Sequence, residues 1–425
     1  AENSTDAQVE AKASAKSGST GVGVSVGLNI AVDNDTRAVI ADGTTLTGGD
    51  DVTLTATGSH VVNTTAEGGG AAKDGTGVGG ALALTVAENT TQATIGTGTK
   101  LDVTGAVGAT ANHHGSSVTT AKGDATGTST AVGVAIALGF VEDSATATTH
   151  RDITAGKSVS FTASADGSSQ STAIASAAGG KADSSSSADK QGDKATGLAN
   201  KQSGGSKTVG KSASTDDGSG GGGSVSVGAA LALNIASSVA DASISNVEIK
   251  AGGALNLKSE NNMDASAIAD GSAATGADAK DKDGKSTGTT VGLGIALNIA
   301  DMQNHATVGA GAKVTADGVS AQSLMKDVGG DKTSKFAAKA TSGASGGDTG
   351  VAGSFALNYS KAQTEAGLTT ALTVDAGAGD VTITAENSTD AQVEAKASAK
   401  SGSTGVGVSV GLNIAVDNDT RAVIA

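Results

Sequence analysis

The chain has 425 residues and a formal net charge of −15, with 64 Gly, four Phe, one Tyr and no Pro, Cys or Trp. No disulfide framework, thiolate nucleophile or thiolate metal site is available, and the acidity argues against nucleic-acid backbones and anionic membranes, which call for basic patches. So few rings exclude a thick core: Val, Ile, Leu and Ala are left to fill a narrow interior between closely spaced sheets, and the lack of Pro suits a chain that is nearly all ladder.

In chain order the sequence predicts a recurring module. An alternating Ala-rich segment comes first, as in TDAQVEAKASA (5–15), VTTAKGDA (118–125) and FAAKATSGA (336–344). A polar Gly/Ser turn of variable length follows, then a strand typified by GVGVSVGLNIA (21–31). A polar corner comes next (32–43, 87–98), and the module closes on two short segments about a Gly turn (44–56, 153–163, 249–259, 372–385). Short alternating segments punctuated by turn residues predict an all-β chain.

In the strand at 21–31, Val22, Val24, Val26, Leu28 and Ile30 share one face, while Gly21, Gly23, Ser25, Gly27, Asn29 and Ala31 share the other. The expectation is that the bulky face is buried and that the small face lets another backbone or sheet approach closely. The unit recurs, anchored at Leu28, Leu84, Leu138, Leu233, Leu297, Leu357 and Leu412, in steps of 56, 54, 95, 64, 60 and 55 residues. Residues 385–425 repeat residues 1–41 without a change, so one super-repeat spans 1–384 and the next begins at 385. Self-similarity at two periods indicates a solenoid or array. The chain is read as one continuous rod, 1–425, with modules at about 1–60, 61–115, 116–167, 168–262, 263–328, 329–388 and 389–425.

The step of 95 has a visible cause. Residues 179–224 are dense in Ser, Gly, Lys and Asp and almost without large apolar side chains, which predicts a flexible inserted loop. A smaller insertion lies at 271–290. Variable turns and Gly-punctuated corners favour a parallel β-solenoid with tandem modules of about 60 residues; a rod of stacked antiparallel β-hairpins is the alternative. Two coils per module would make a dozen coils and a super-repeat about 60 Å long.

ITAGKSVSFTA, IKAGGALNLKS and AGAGDVTITA resemble coils of filamentous-haemagglutinin-type adhesins, and TGVGVSVGLNIAVDNDTRAVI resembles the repeats of leukotoxin-type filamentous adhesins, giant surface proteins of Gram-negative bacteria. The likeness touches every module. It implies a right-handed β-helical stalk, exported across the outer membrane and used for attachment or cell contact. The exported N-terminal domain of such proteins is not in this sequence.

Candidate chemistry is sparse. His60, His113, His114, His150 and His305 are expected at exposed corners; His113 and His114, being adjacent, point to opposite faces and make a poor metal pair. Asp33 with Asp35, Asp50 with Asp51, and Asp278, Asp281 and Asp283 form acidic clusters that suggest structural Ca²⁺, but the ligand pattern of a calcium loop is incomplete. GTGVGG (75–80) lacks the Lys-Ser/Thr of a phosphate loop. Asn29, Asn234, Asn298, Asn358 and Asn413 share a register position, fit either to bond along a parallel array or to satisfy a local carbonyl.

No catalytic, cofactor-binding or metal residue is assigned, and an enzyme is not expected. The expected function is structural: the repeat region of an extracellular filamentous surface protein or adhesin, acting as a stalk or fibre. Its partners are neighbouring repeats of a longer chain, with no nucleic acid and no membrane insertion. A second expectation is a filament or matrix protein whose rods associate laterally through the Gly/Ala face about Gly23 and Gly27. A third is a binding module, for Ca²⁺ or for ice through pairs such as Thr53 and Thr55.

Overall fold

The computed structural model describes residues 1–179, 225–275, 287–370 and 372–425. The described residues form strands and connections without a helix, so none offers a helix long and apolar enough to cross a membrane. The strands are β1 (Glu2–Ser17), β2 (Thr20–Ile40), β3 (Val52–Ala72), β4 (Thr76–Ile95), β5 (Leu101–Val103), β6 (Val107–Gly127) and β7 (Thr130–Thr149). They continue as β8 (Ile153–Ala155), β9 (Val159–Gly179), β10 (Val225–Asp241), β11 (Glu248–Ala251), β12 (Leu255–Thr275), β13 (Thr289–Val308) and β14 (Lys313–Thr315). The last are β15 (Val319–Met325), β16 (Ser334–Ser345), β17 (Thr349–Leu368), β18 (Thr373–Asp375), β19 (Val381–Ala385), β20 (Thr389–Lys400) and β21 (Thr404–Ile424).

Three parallel sheets form the walls of a β-solenoid. The first runs β1-β3-β6-β9-β12 and continues through β15-β19 and β16-β20; the second runs β2-β4-β7-β10-β13-β17-β21; the short third holds β5, β8, β11, β14 and β18. The hairpin alternative fails because β1 and β2, joined by a turn, pair with β3 and β4 and not with each other. The closing pairs of short segments appear as expected, for example as β8 and the start of β9.

Two expectations are corrected. Ladder partners are whole steps apart, since Leu28 pairs with Leu84, Leu84 with Leu138 and Leu357 with Leu412. The chain therefore makes one circuit between anchor leucines, not two, and the seven-strand wall is about 29 Å tall at the strand spacing of a sheet. The polar corners at 32–43 and 87–98 are also shorter than expected: β2 runs on to Ile40 and β4 to Ile95, because their polar side chains alternate between interior and exterior as a strand requires, and the chain turns only after those residues. The inserted loop at 179–224 lies, apart from Gly179, outside the described residues, as does 276–286 of the smaller insertion.

The core tapers. Where three sheets meet, Ile95, Leu101, Ile153, Phe161, Ile249 and Leu257 fill the interior. Further along, only two sheets face each other across alanines such as Ala66, Ala83, Ala121 and Ala137, and at the far edge across glycines. The inward residues of β4 follow that wedge from Gly77, Gly79, Ala81 and Ala83 to Ala93 and Ile95.

Candidate functional site

The second sheet turns its bulky face outward, the reverse of what the sequence predicts. Gly21, Gly23, Ser25, Gly27 and Asn29 are buried against the first sheet, whereas Leu28 is 51% and Ile30 59% exposed on the outermost strand. The glycine contacts explain why. A Cβ at Gly21 would lie 2.1 Å from the Ala71 carbonyl oxygen, and one at Gly79 1.9 Å from that of Asp124. The expected close approach of a second backbone is therefore present, and it leaves no interior room for Val or Leu. The same fact buries Gly23 and Gly27, so lateral association of rods through the Gly/Ala face is overturned.

Because the ladder is in register, the outward residues form five apolar columns across seven strands. One is leucine throughout, from Leu28 to Leu412; another runs Val26, Leu82, Ile136, Leu231, Ile295, Phe355 and Val410. Neighbouring columns half-cover most of the inner strands' side chains, while Leu293 (41%), Val351 (38%) and Tyr359 (38%) stand clear. A column of threonines interrupted by Val225, with Thr20, Thr76 and Thr130 among them, borders the face on one side; a mainly charged column of Glu88, Glu142, Ser237, Asp301, Lys361 and Val416 borders it on the other.

Between the sheets runs a polar spine. Asn234 donates its amide to Asn298 at 3.0 Å, Asn298 to Asn358 at 2.8 Å and Asn358 to Asn413 at 2.9 Å, so these four form the array that the register suggests. Asn29 takes neither role: it crosses to the first sheet, donating to the Ala7 carbonyl of β1 and the Asn63 carbonyl of β3. Where Thr85 replaces Asn, a hydroxyl chain of Thr64, Thr85 and Thr119 at 2.6 and 2.7 Å continues the spine.

Deeper along the same walls, His60 and His113 are buried in β3 and β6, with ring centroids 5.6 Å apart. Thr91 lies 3.1 Å from His113 Nδ1, and Asp143 Oδ1 lies 3.1 Å from Nε2 while also accepting from Asn89 at 2.7 Å. Neither ring nitrogen of His60 has a hydrogen-bond partner. Burial, helped by the neighbouring His113, pushes the His60 pKa down. The expectation that all five histidines sit at exposed corners thus holds for His150 alone, because the strands extend farther than their polar letters suggest and take in the other four. His114 lies on the outer face of β6, His150 is exposed just beyond β7, and His305 lies half-buried in β13.

A cleft on the first sheet gathers His114, Asp166, Asn262, Asp264, Asp331 and Lys335 beside the loop that interrupts the wall between β15 and β16. Two of its carboxylates are ion-paired, Asp166 with His114 and Lys326, and Asp331 with Lys335. The bond to Asp166 raises the His114 pKa; burial opposes ionisation of Asp166, but His114 and Lys326 outweigh it and its pKa falls. Burial raises that of Asp264, which accepts from the Lys335 backbone at 2.9 Å. These groups hold the loop to the sheet, with the Asn262 amide donating to the Lys326 and Asp331 carbonyls.

The acidic pairs do not converge. Asp35 binds Arg37, Asp33 occupies a left-handed position at a bulge in β2, and Asp51 accepts from the Ala106 backbone, which lowers its pKa. Asp278, Asp281 and Asp283 lie outside the described residues. Among the described residues no three His, Asp or Glu side chains gather as metal ligands. Of the string at 75–80, Thr76–Gly80 belongs to β4 and Gly75 to the turn before it. Thr53 and Thr55 face outward on β3, but Thr53 pairs with Gly108 and Thr55 with Thr110, so no regular threonine array forms.

Arg151 was not singled out by the sequence. It is buried at the corner after β7, where its guanidinium donates to the carbonyls of Ala41, Thr44, Gly96 and Thr97 and so ties three circuits together. Its only signal is rarity, since the chain holds just three arginines. Comparison with protein-family models, curated proteins and solved structures found no match.

Proposed function

We propose that the chain is a structural repeat region of an extracellular filamentous surface protein, a non-enzymatic stalk that carries attachment or cell-contact functions away from a bacterial envelope. Its solenoid is read as right-handed, with tandem modules of about 60 residues as the building unit. The supporting observation is at the repeat junction. β20 and β21 hold residues identical to their counterparts near the start of the chain, yet they stack in register on β16 and β17. The edge that β2 offers to β4 is thereby offered again by β21, so super-repeats can be added without interrupting the ladder. A protein whose length can be set by copy number, with no metal-ligating cluster among the described residues, fits a spacer better than a catalyst.

Tandem chains of one, two and four super-repeats provide the test, imaged by negative-stain electron microscopy, with immunogold labelling of intact cells that make the protein. Rod length should rise by about 29 Å per super-repeat, from six strand spacings, and gold should lie outside the envelope. Compact particles whose length ignores copy number, or label confined to the cell interior, would refute the reading.

A further inference from the structure

The outward aliphatic face of the second sheet has no role in a simple spacer. We propose that it is an interface between two copies of this chain, sheet face against sheet face, whether or not the chain serves as a stalk.

Size is the first argument. Five columns about 6.7 Å apart on seven strands about 4.8 Å apart cover roughly 900 Å². That matches the roughly 800 Å² which each partner contributes to a stable interface, and exceeds the few hundred that monomers usually leave exposed. Its layout is the second: an apolar centre bounded by the mainly threonine column and by the mainly charged column with Glu88, Glu142, Asp301 and Lys361 has the core and rim of a protein interface.

The third argument selects the partner. Both spacings of the face recur identically on another copy, so ridges on one can enter grooves on the other across the whole patch, and a two-fold axis gives each face a self-complementary mate. In sequence the long insertions are poor in the side chains such a face would bury: 180–224 holds only Leu198 and Val209 as large aliphatics and 276–286 holds none. A bilayer fits poorly: the rim sets three carboxylates against one ammonium, and the chain has no Trp to seat at a headgroup boundary.

Leu231 lies on the middle strand and in the middle column, hence next to the two-fold axis, and the cysteine-free chain makes a single thiol diagnostic. Sedimentation of the full chain at micromolar concentration should give twice the chain mass. Leu231→Cys should form a disulfide-linked dimer in air, whereas Ser59→Cys, on the outer side of the opposite wall, should not. Leu138→Glu combined with Leu233→Glu should halve the mass with an unchanged β-sheet circular dichroism spectrum; if that variant does not fold, the cysteine pair decides alone. A wild-type chain that stays single throughout the micromolar range overturns the proposal, as do equal cross-linking of both cysteine variants or flotation of single chains with neutral phosphatidylcholine vesicles.

Discussion

At Gly79 a Cβ would meet the Asp124 carbonyl oxygen at 1.9 Å, and at Gly133 that of Ser176 at 2.2 Å. Both obstacles are backbone and cannot swing aside, so Gly79→Ala should cost at least about 2 kcal/mol, the scale of overpacking a tight core. On the outward side Val78→Ala should cost below about 1 kcal/mol, as surface changes do. Urea unfolding midpoints of the two variants check this ordering, and the reverse ordering would mean that the faces are turned the other way. The buried imidazole of His60 adds a pH dependence. Its pKa is depressed in the fold, so the unfolded chain takes up a proton first, and stability is lost as pH falls below the ordinary value of 6.5 towards the depressed one. His114 has the opposite sign: its raised pKa stabilises below 6.5, and that contribution fades as pH rises through the raised value. His60→Leu should therefore lose less stability than wild type between about pH 7.5 and about pH 5.5. Equal losses would show that His60 is not the proton acceptor.

Among the elements, the asparagine array joins neighbouring circuits. Asn298 is fully buried and bonded to Asn234 above and Asn358 below, so Asn298→Ala leaves both with an unmatched amide group. The expected cost is about 1 to 3 kcal/mol for each group left unsatisfied, read as a lowered urea midpoint. Asn29→Ala, at the outer end and bonded to carbonyls only, should cost less. This array was legible in the sequence because five asparagines share one position relative to the anchor leucine. The strands were legible for the same reason: alternation survives when the letters change. Which face points inward was not, since alternation is symmetric and hydrophobicity favours burying Val and Leu; only the distance between opposing backbones decides it. The first sheet's cleft was also hidden, although Gly329 and Gly330, both in left-handed conformations, mark the loop that builds it. Nothing in the letters marks the interior histidines, as Gly58 and Ser59 before His60 read like a turn.

For the whole molecule, neither disulfides nor, among the described residues, gathered metal ligands fasten one circuit to the next. Cohesion rests on ladder hydrogen bonds, the tapered core and a few polar ties such as Arg151. The two ends of the chain sit at opposite ends of the second sheet, with β2 first and β21 last. A load applied between them therefore acts across the strands and opens the backbone bonds of one circuit in sequence instead of shearing them together. From Leu357 to Leu412 one circuit holds 55 residues, which when drawn straight span about 190 Å, against a rise of about 4.8 Å when folded. Optical-trap pulling should then show a series of low-force steps of about that size, spreading from an end; a single abrupt rupture of the entire fold would contradict it. A tether of this kind would yield by paying out slack, one ring at a time, and each ring still in place would keep a finished edge on which the lost one could wind again.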